Sequence, residues 1–142
     1  MMNAARIMSG NYGEVWLDNE YVGEAYKLNA KITYNKEDIN RCGGMMVDTK
    51  VTSQKGTGSM GLYKVSSRMA RTIGNSLKNG KDARFTVISK LSDPDAYGTE
   101  RVMLTGVSFD DLTLADWEAA VVGKVEAPFT FTDYEFLDMV ED

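Results

Sequence analysis

From Tyr26 to Tyr34 the chain alternates without a break. Tyr26, Leu28, Ala30, Ile32 and Tyr34 form one series, and Lys27, Asn29, Lys31 and Thr33 lie between them. A period of two, with one apolar and one polar face, marks a strand half buried in a sheet. Residues 49–64 also alternate, but Thr49–Ser59 is polar on both sides and holds Gly56 and Gly58 before Met60, Leu62 and Tyr63 add apolar weight. A segment wet on both faces is no core strand of a monomer; it suits a water-filled channel or a junction between subunits. Residues 36–48 between the two strands break the alternation, carry Gly43-Gly44 and read as a long loop, a length that usually has a task.

The rest of the chain reads as β with one helix. Glu14–Leu17 is a short strand closed by an Asp18-Asn19 turn. Residues 83–91 place Phe85, Val87, Ser89 and Leu91 on one face, 100–109 place Met103, Val107 and Phe109 on one side, and 124–136 align Val125, Ala127, Phe129 and Phe131. A helix is expected after Ser66 or Ser67, with Met69, Ala70, Ile73 and Leu77 on one face and Asn79-Gly80 at its end. Residues 112–122 fit either strand or helix. Residues 1–12 read as an arm, and the 142 residues fit one domain. The core is expected to join Tyr26, Leu28, Ile32 and Tyr34 to Phe85, Val87, Phe129 and Phe131, with the helix over one end.

Composition then removes several classes of function. The net charge is −5, so a general grip on nucleic acid from outside is not expected. There is no histidine, the commonest proton shuttle and metal ligand, and Cys42, the one cysteine, lacks that activating partner. A lone cysteine also points to a reducing folding compartment. Met1–Met8 has no long apolar core and makes a poor signal peptide, and no run approaches a membrane span.

Gly56-Thr57-Gly58-Ser59-Met60-Gly61 matches the dinucleotide-binding spacing, with Asp82 downstream. Its preceding strand is polar, however, and four residues separate it from any helix, so the glycines are expected to let strands approach closely. Asp93, Asp95 and Glu100 lack the spacing of a calcium loop and read as a hairpin turn. Asp110-Asp111 would point to opposite faces of a strand, and with Asp116 and Glu118 they read as solvated charge. The lysines Lys27, Lys31, Lys50 and Lys55 have no aromatic platform on their face and read as a wet face or inter-subunit ion pairs. No cofactor, metal or catalytic set is expected.

Several stretches, in order, resemble the tail tube proteins of PBSX-type prophages, the XkdM-like family. They are Ser9-Gly10 leading to Gly13–Asp18, Gly56-Thr57-Gly58 leading to Leu62–Ser67, Gly98–Val102, Val107–Asp110 and Pro128–Tyr134. The resemblance spans nearly the whole chain. It implies a two-sheet β-sandwich or barrel with one flanking helix. It further implies hexameric rings whose strands join into an inner β-barrel, stacked as a tube within a contractile sheath. The partners it implies are other copies of the chain, the sheath, the baseplate and tape measure proteins, and DNA only as passing cargo. The setting it implies is a phage tail or tail-like bacteriocin, assembled in the bacterial cytoplasm. A type VI secretion-like tube protein and a small-ligand or glycan-binding β-barrel module are the alternatives.

Two sets of residues are singled out on this reading. Lys27, Asn29, Lys31, Thr52 and Gln54 are expected to face the lumen or a neighbouring subunit, because a fully polar strand face must stay wet or paired. Asp38, Ile39, Asn40, Arg41, Cys42, Gly43, Gly44, Met45 and Met46 are expected to make the ring-to-ring contact, together with the arm. The loop ends in Met45-Met46-Val47, apolar and adaptable residues that a purely solvated loop does not favour.

Overall fold

A computed structural model describes residues 3–65, 71, 84–111 and 115–140. Among the described residues, eight strands form one antiparallel sheet. They are β1 (Gly13–Leu17), β2 (Glu20–Tyr21), β3 (Ala25–Ile39), β4 (Asp48–Tyr63), β5 (Phe85–Leu91), β6 (Glu100–Phe109), β7 (Lys124–Phe131) and β8 (Asp133–Asp138). The order is β2-β1-β5-β6-β7-β4-β3, with β8 also on β6. The Asp18-Asn19 turn has both residues at positive φ, +48° and +70°, the geometry of a type I′ hairpin. The turn is pinned sideways: the Thr86 N–H donates to Asp18 Oδ1 at 2.8 Å, and the Asp18 N–H donates to the Thr86 carbonyl at 2.9 Å.

The sheet folds over at β6, which serves both halves. Its first part pairs with β8, from Arg101↔Asp138 to Thr105↔Asp133, and its end pairs with β7 at Ser108↔Thr130 and Phe109↔Phe129. The corner is Gly106, at φ +65°, where β6 carries an extra residue opposite β5. Across from it, the Thr132 N–H and hydroxyl both donate to the Thr105 carbonyl, at 3.1 and 3.3 Å. A side chain at Gly106 would run into Thr132 Oγ1. The bulge also shifts the buried series: Leu104, Val107 and Phe109 are buried, whereas Met103, expected inside, is only half-buried.

One apolar cluster draws on both halves: Val15 and Leu17 from β1, Phe85 and Val87 from β5, Met60 and Leu62 from β4, and Ala127, Phe129 and Phe131 from β7. Its centre is Phe129, fully buried. The glycines of β4 explain how it fits. Gly58 lies opposite Phe129 and Gly56 opposite Phe131. A Cβ at Gly56 would sit 2.5 Å from the Phe131 ring, and one at Gly58 would strike both Phe129 and the Asn29 carbonyl. The G-x-G is therefore the bed on which two rings lie.

The expected two-sheet sandwich or barrel is corrected here: the sheet is not closed. β3 and β2 are free ends of the strand order, and β2 is only two residues long. Residues 22–24 carry the chain from one lip to the other without a strand, leaving a cleft of about 510 Å³ between Gly13–Val15 and Ala25–Leu28. The expected core is half right. Leu28 and Ile32 pack against the cluster, but Tyr26 is the extra residue of a bulge between Ala25 and Lys27, its ring beside Tyr63 and Lys124 on the outer face, and Tyr34 lies on the ribbon beyond the end of β7. Of the expected helix, Arg71 is helical; Met69, Ala70, Ile73 and Leu77 lie outside the described residues. Residues 115–123 form neither strand nor helix.

Truncations should track this gradient of burial. Phe129→Ala should cost about 3–5 kcal/mol, Leu28→Ala less than a fully buried leucine would, and Tyr34→Ala almost nothing in the isolated subunit, read by denaturant unfolding. Equal losses at Phe129 and Tyr34 would contradict the placement of β3 at the edge.

Candidate assembly surface

β4 outruns its inner neighbour. It pairs with β7 only from Gly56↔Phe131 to Tyr63↔Lys124, but with β3 all the way to Ile39↔Asp48. Beyond Ile32 and Gly56 the two strands stand as a free ribbon, with every residue from Thr33 to Lys55 exposed. The strand therefore continues through residues 36–39, where a loop was expected, and the loop is shorter, 40–47. Alternation fails to announce a strand here because neither face of the ribbon is covered by its own subunit. Asp38 and Ile39 accordingly sit in β3, and Asn40, Arg41, Cys42, Gly43, Gly44, Met45 and Met46 form the exposed tip. The tip is a folded turn: Gly43 adopts φ +79°, and Arg41 Nη2 donates to the Met46 carbonyl at 3.3 Å. Met45 is 101% and Met46 78% exposed.

The five residues expected on one face divide between places. Lys27, Asn29 and Lys31 pair with Gly61, Ser59 and Thr57 on the face turned away from the core. Gln54 lies opposite Tyr34, hence on the other face. Thr52 occupies a bulge where β4 has an extra residue opposite Asn35–Lys36, and its hydroxyl donates to the Asn35 carbonyl at 3.1 Å. Asn35 Nδ2 adds a 2.8 Å bond to Ser53 Oγ. At the base of the polar face, Lys27 Nζ meets Glu126 Oε1 at 2.7 Å. That hydrogen bond, and then the carboxylate's charge, hold the Lys27 ammonium above its ordinary range. The pair is solvent-exposed and contributes little to stability. Lys27 and Lys124 also flank the ring of Tyr26, at 5.9 and 5.3 Å.

The arm is tied to its own subunit. Asp93, 8% exposed, accepts the Ser9 N–H and the Asp95 N–H, each at 2.9 Å. Arg6 donates to the Asp95 carbonyl at 3.0 Å, and its guanidinium lies 4.9 Å over Tyr97. Asp93 is thus a turn residue, as the spacing implied, with a second task that spacing does not reveal. At the end of the molecule away from the tip, Val65, Trp117, Val121 and Val122 are exposed apolar residues that sequence reasoning passed over. For Trp117, Val121 and Val122 the signal was present as apolar side chains in an acidic segment without a period. Among the described residues, no group of three or more Cys, Asp or Glu is placed to hold a metal, and no helix is long and apolar enough to cross a membrane.

An open sheet with an unfinished ribbon is a part of something larger, and relatives say of what. The family model described as phage tail tube protein matches residues 1–138. The chain belongs to the phage tail tube protein family. The resemblance read from the sequence is thereby established. The phage-like element PBSX protein XkdM of Bacillus subtilis (strain 168) is 32% identical over 143 residues, covering 99% of this chain and 97% of that one. The same fold occurs in the sheath–tube complex of an extracellular contractile injection system, PVC, in its extended state. The TM-score there is 0.74 at 9% identity, covering 98% of this tube protein and 100% of that chain. It occurs again in the six-fold symmetrised baseplate of the anti-feeding prophage, with a TM-score of 0.65 at 10% identity over 88% of this chain and 90% of that one. As a tail tube protein the chain is a structural subunit, and the ligand- or glycan-binding alternative is set aside.

Removing the Asp93 carboxylate tests the arm's anchorage. Asp93→Ala leaves two N–H groups without their acceptor, a loss of about 1–3 kcal/mol. The Ser9 amide should lose its protection from hydrogen exchange, while β5 amides keep theirs. Unchanged protection at Ser9 would refute the anchor.

Proposed function

We propose that this subunit polymerises as six-membered rings that stack into the inner tube of a contractile phage tail or tail-like bacteriocin, with no catalytic role. The observation that carries the reading is the ribbon. A two-stranded ribbon exposed on both faces is marginal in water, and its open edges invite pairing with other chains. Burial against neighbouring copies supplies what the subunit lacks. Six-fold symmetry has support in the symmetrised baseplate that shares the fold, and a surrounding sheath in the sheath–tube complex. On this reading the partners are further copies of the chain, a sheath protein, baseplate and tape measure proteins, and DNA only in transit. Assembly takes place in the host bacterial cytoplasm.

The face carrying Lys27, Asn29 and Lys31 is assigned to the lumen or to a neighbour's flank. The tip, Asp38–Met46, is assigned to the contact between rings.

Replacing residues 38–46 with a short Gly/Ser linker should leave β circular dichroism and cooperative melting intact, while long tubes disappear from negative-stain images of concentrated protein. Normal tubes from that variant would remove the tip from the ring contact.

A further inference from the structure

The two ends of the β3–β4 axis differ in chemistry. Ala25–Ile39 spans about 46 Å at roughly 3.3 Å per residue. At one end is the tip, with Met45, Met46 and Val47 exposed and Arg41 its one charged residue between Asn40 and Val47. At the other end is the segment between β6 and β7. It leaves at Asp110, whose N–H donates to the Pro128 carbonyl at 2.9 Å, and rejoins at Gly123, whose carbonyl accepts the Lys64 N–H at 2.7 Å. Residues 110–123 hold Asp110, Asp111, Asp116 and Glu118 and no cation. All four acids are exposed. Among them stand Trp117, 86% exposed, with Val121 and Val122, and Val65 is exposed beside the point of rejoining.

We propose that the β6–β7 segment is the seat of the tip: Met45–Val47 of one copy packs on Trp117, Val121 and Val122 of a copy in the next ring, and Arg41 enters the acidic rim. This rests on the tube reading and names the surface that reading leaves open. Three points select a second copy as the occupant. Each end exposes apolar side chains that its own subunit leaves uncovered. Arg41 is the one cation of residues 38–48, beside Asp38 and Asp48, and has four carboxylates to meet in residues 110–123. The two patches lie at opposite ends of one axis, so their union is head-to-tail and repeats without closing on itself, which makes a filament. The acidic ends repel each other, so two rings joined by those ends are disfavoured, and the stack acquires a direction. Met suits the tip because it adapts to the facing surface, and a tryptophan in the seat gives a large contact area.

Cys42 lies in the tip and is the one cysteine of the chain, which makes the contact directly testable. Val121→Cys alters an exposed position and should leave folding intact, as checked by circular dichroism. Treated with a short bis-maleimide under assembling conditions, this variant should give a ladder of trimers and higher species on a denaturing gel, because each chain carries both halves of the contact. Wild type and the Cys42→Ser/Val121→Cys double variant, each with one thiol, should stop at dimers. Trp117→Ala should keep rings and lose long tubes. Tubes of normal length with no species beyond dimers would overturn the proposed seat and leave the tube reading standing. Wild-type protein that forms neither rings nor tubes would overturn that reading, and this proposal with it.

Discussion

Phe131 lies across Gly56, and at that pair β7 gives up its hold on β4. Every other feature of the subunit follows from where this pairing ends. On one side of it, Phe129 on Gly58, Ala127 opposite Met60 and Val125 opposite Leu62 tie the two halves of the sheet around a single core. On the other side β4 continues to Asp48 with β3 alone for company. Burial of several aromatic and aliphatic side chains, each contributing about 1.5–3 kcal/mol, stabilises the first part. Almost nothing of that kind reaches the second.

The molecule is therefore built in two grades. A folded half carries the arm, clamped through Asp93, and a corner set by Gly106 and Thr132. A projecting half offers polar faces, free strand edges and an apolar tip. A subunit that covered its own ribbon would have no reason to assemble. A subunit with exposed core residues would aggregate instead. The ribbon is polar along Thr33, Asn35, Thr52 and Gln54, and its apolar side chains lie mainly at the tip.

How much of this was legible in the sequence depended on which residues face their own core. β3 from Tyr26 to Tyr34, β5, β6 and β7 alternate because one face meets the core, and strands appear there, although the one strand expected over 124–136 divides after Phe131 into β7 and β8 and the Gly106 bulge moves Met103 off the core face. Residues 36–39 of the ribbon read as loop because no face there meets the parent subunit, whereas its other arm, 49–55, reads as a strand polar on both sides, as it is. Tyr26 and Tyr34 look like core from their period, yet a bulge at Ala25–Lys27 displaces the first and β7 ends before the second. The open sheet was hidden for a related reason: the inward face of a barrel strand and that of an open sheet's strand have the same pattern. Gln54 and Thr52 were grouped with Lys27 by polarity, but the bulge opposite Asn35–Lys36 and the pairing with Tyr34 separate them. The apolar seat around Trp117 has no period at all and emerges only once Val65 and Gly123 are brought together by the fold.

Amide hydrogen exchange on the same protein, free and polymerised, tests the two-grade account most directly. In the free subunit the amides of residues 33–39 and 48–55 should exchange quickly while those of β5 and β7 are protected, and polymerisation should slow the ribbon to the level of the core. Ribbon amides as protected in the free subunit as those of β7, or still unprotected within tubes, would contradict the claim that neighbouring copies complete the fold.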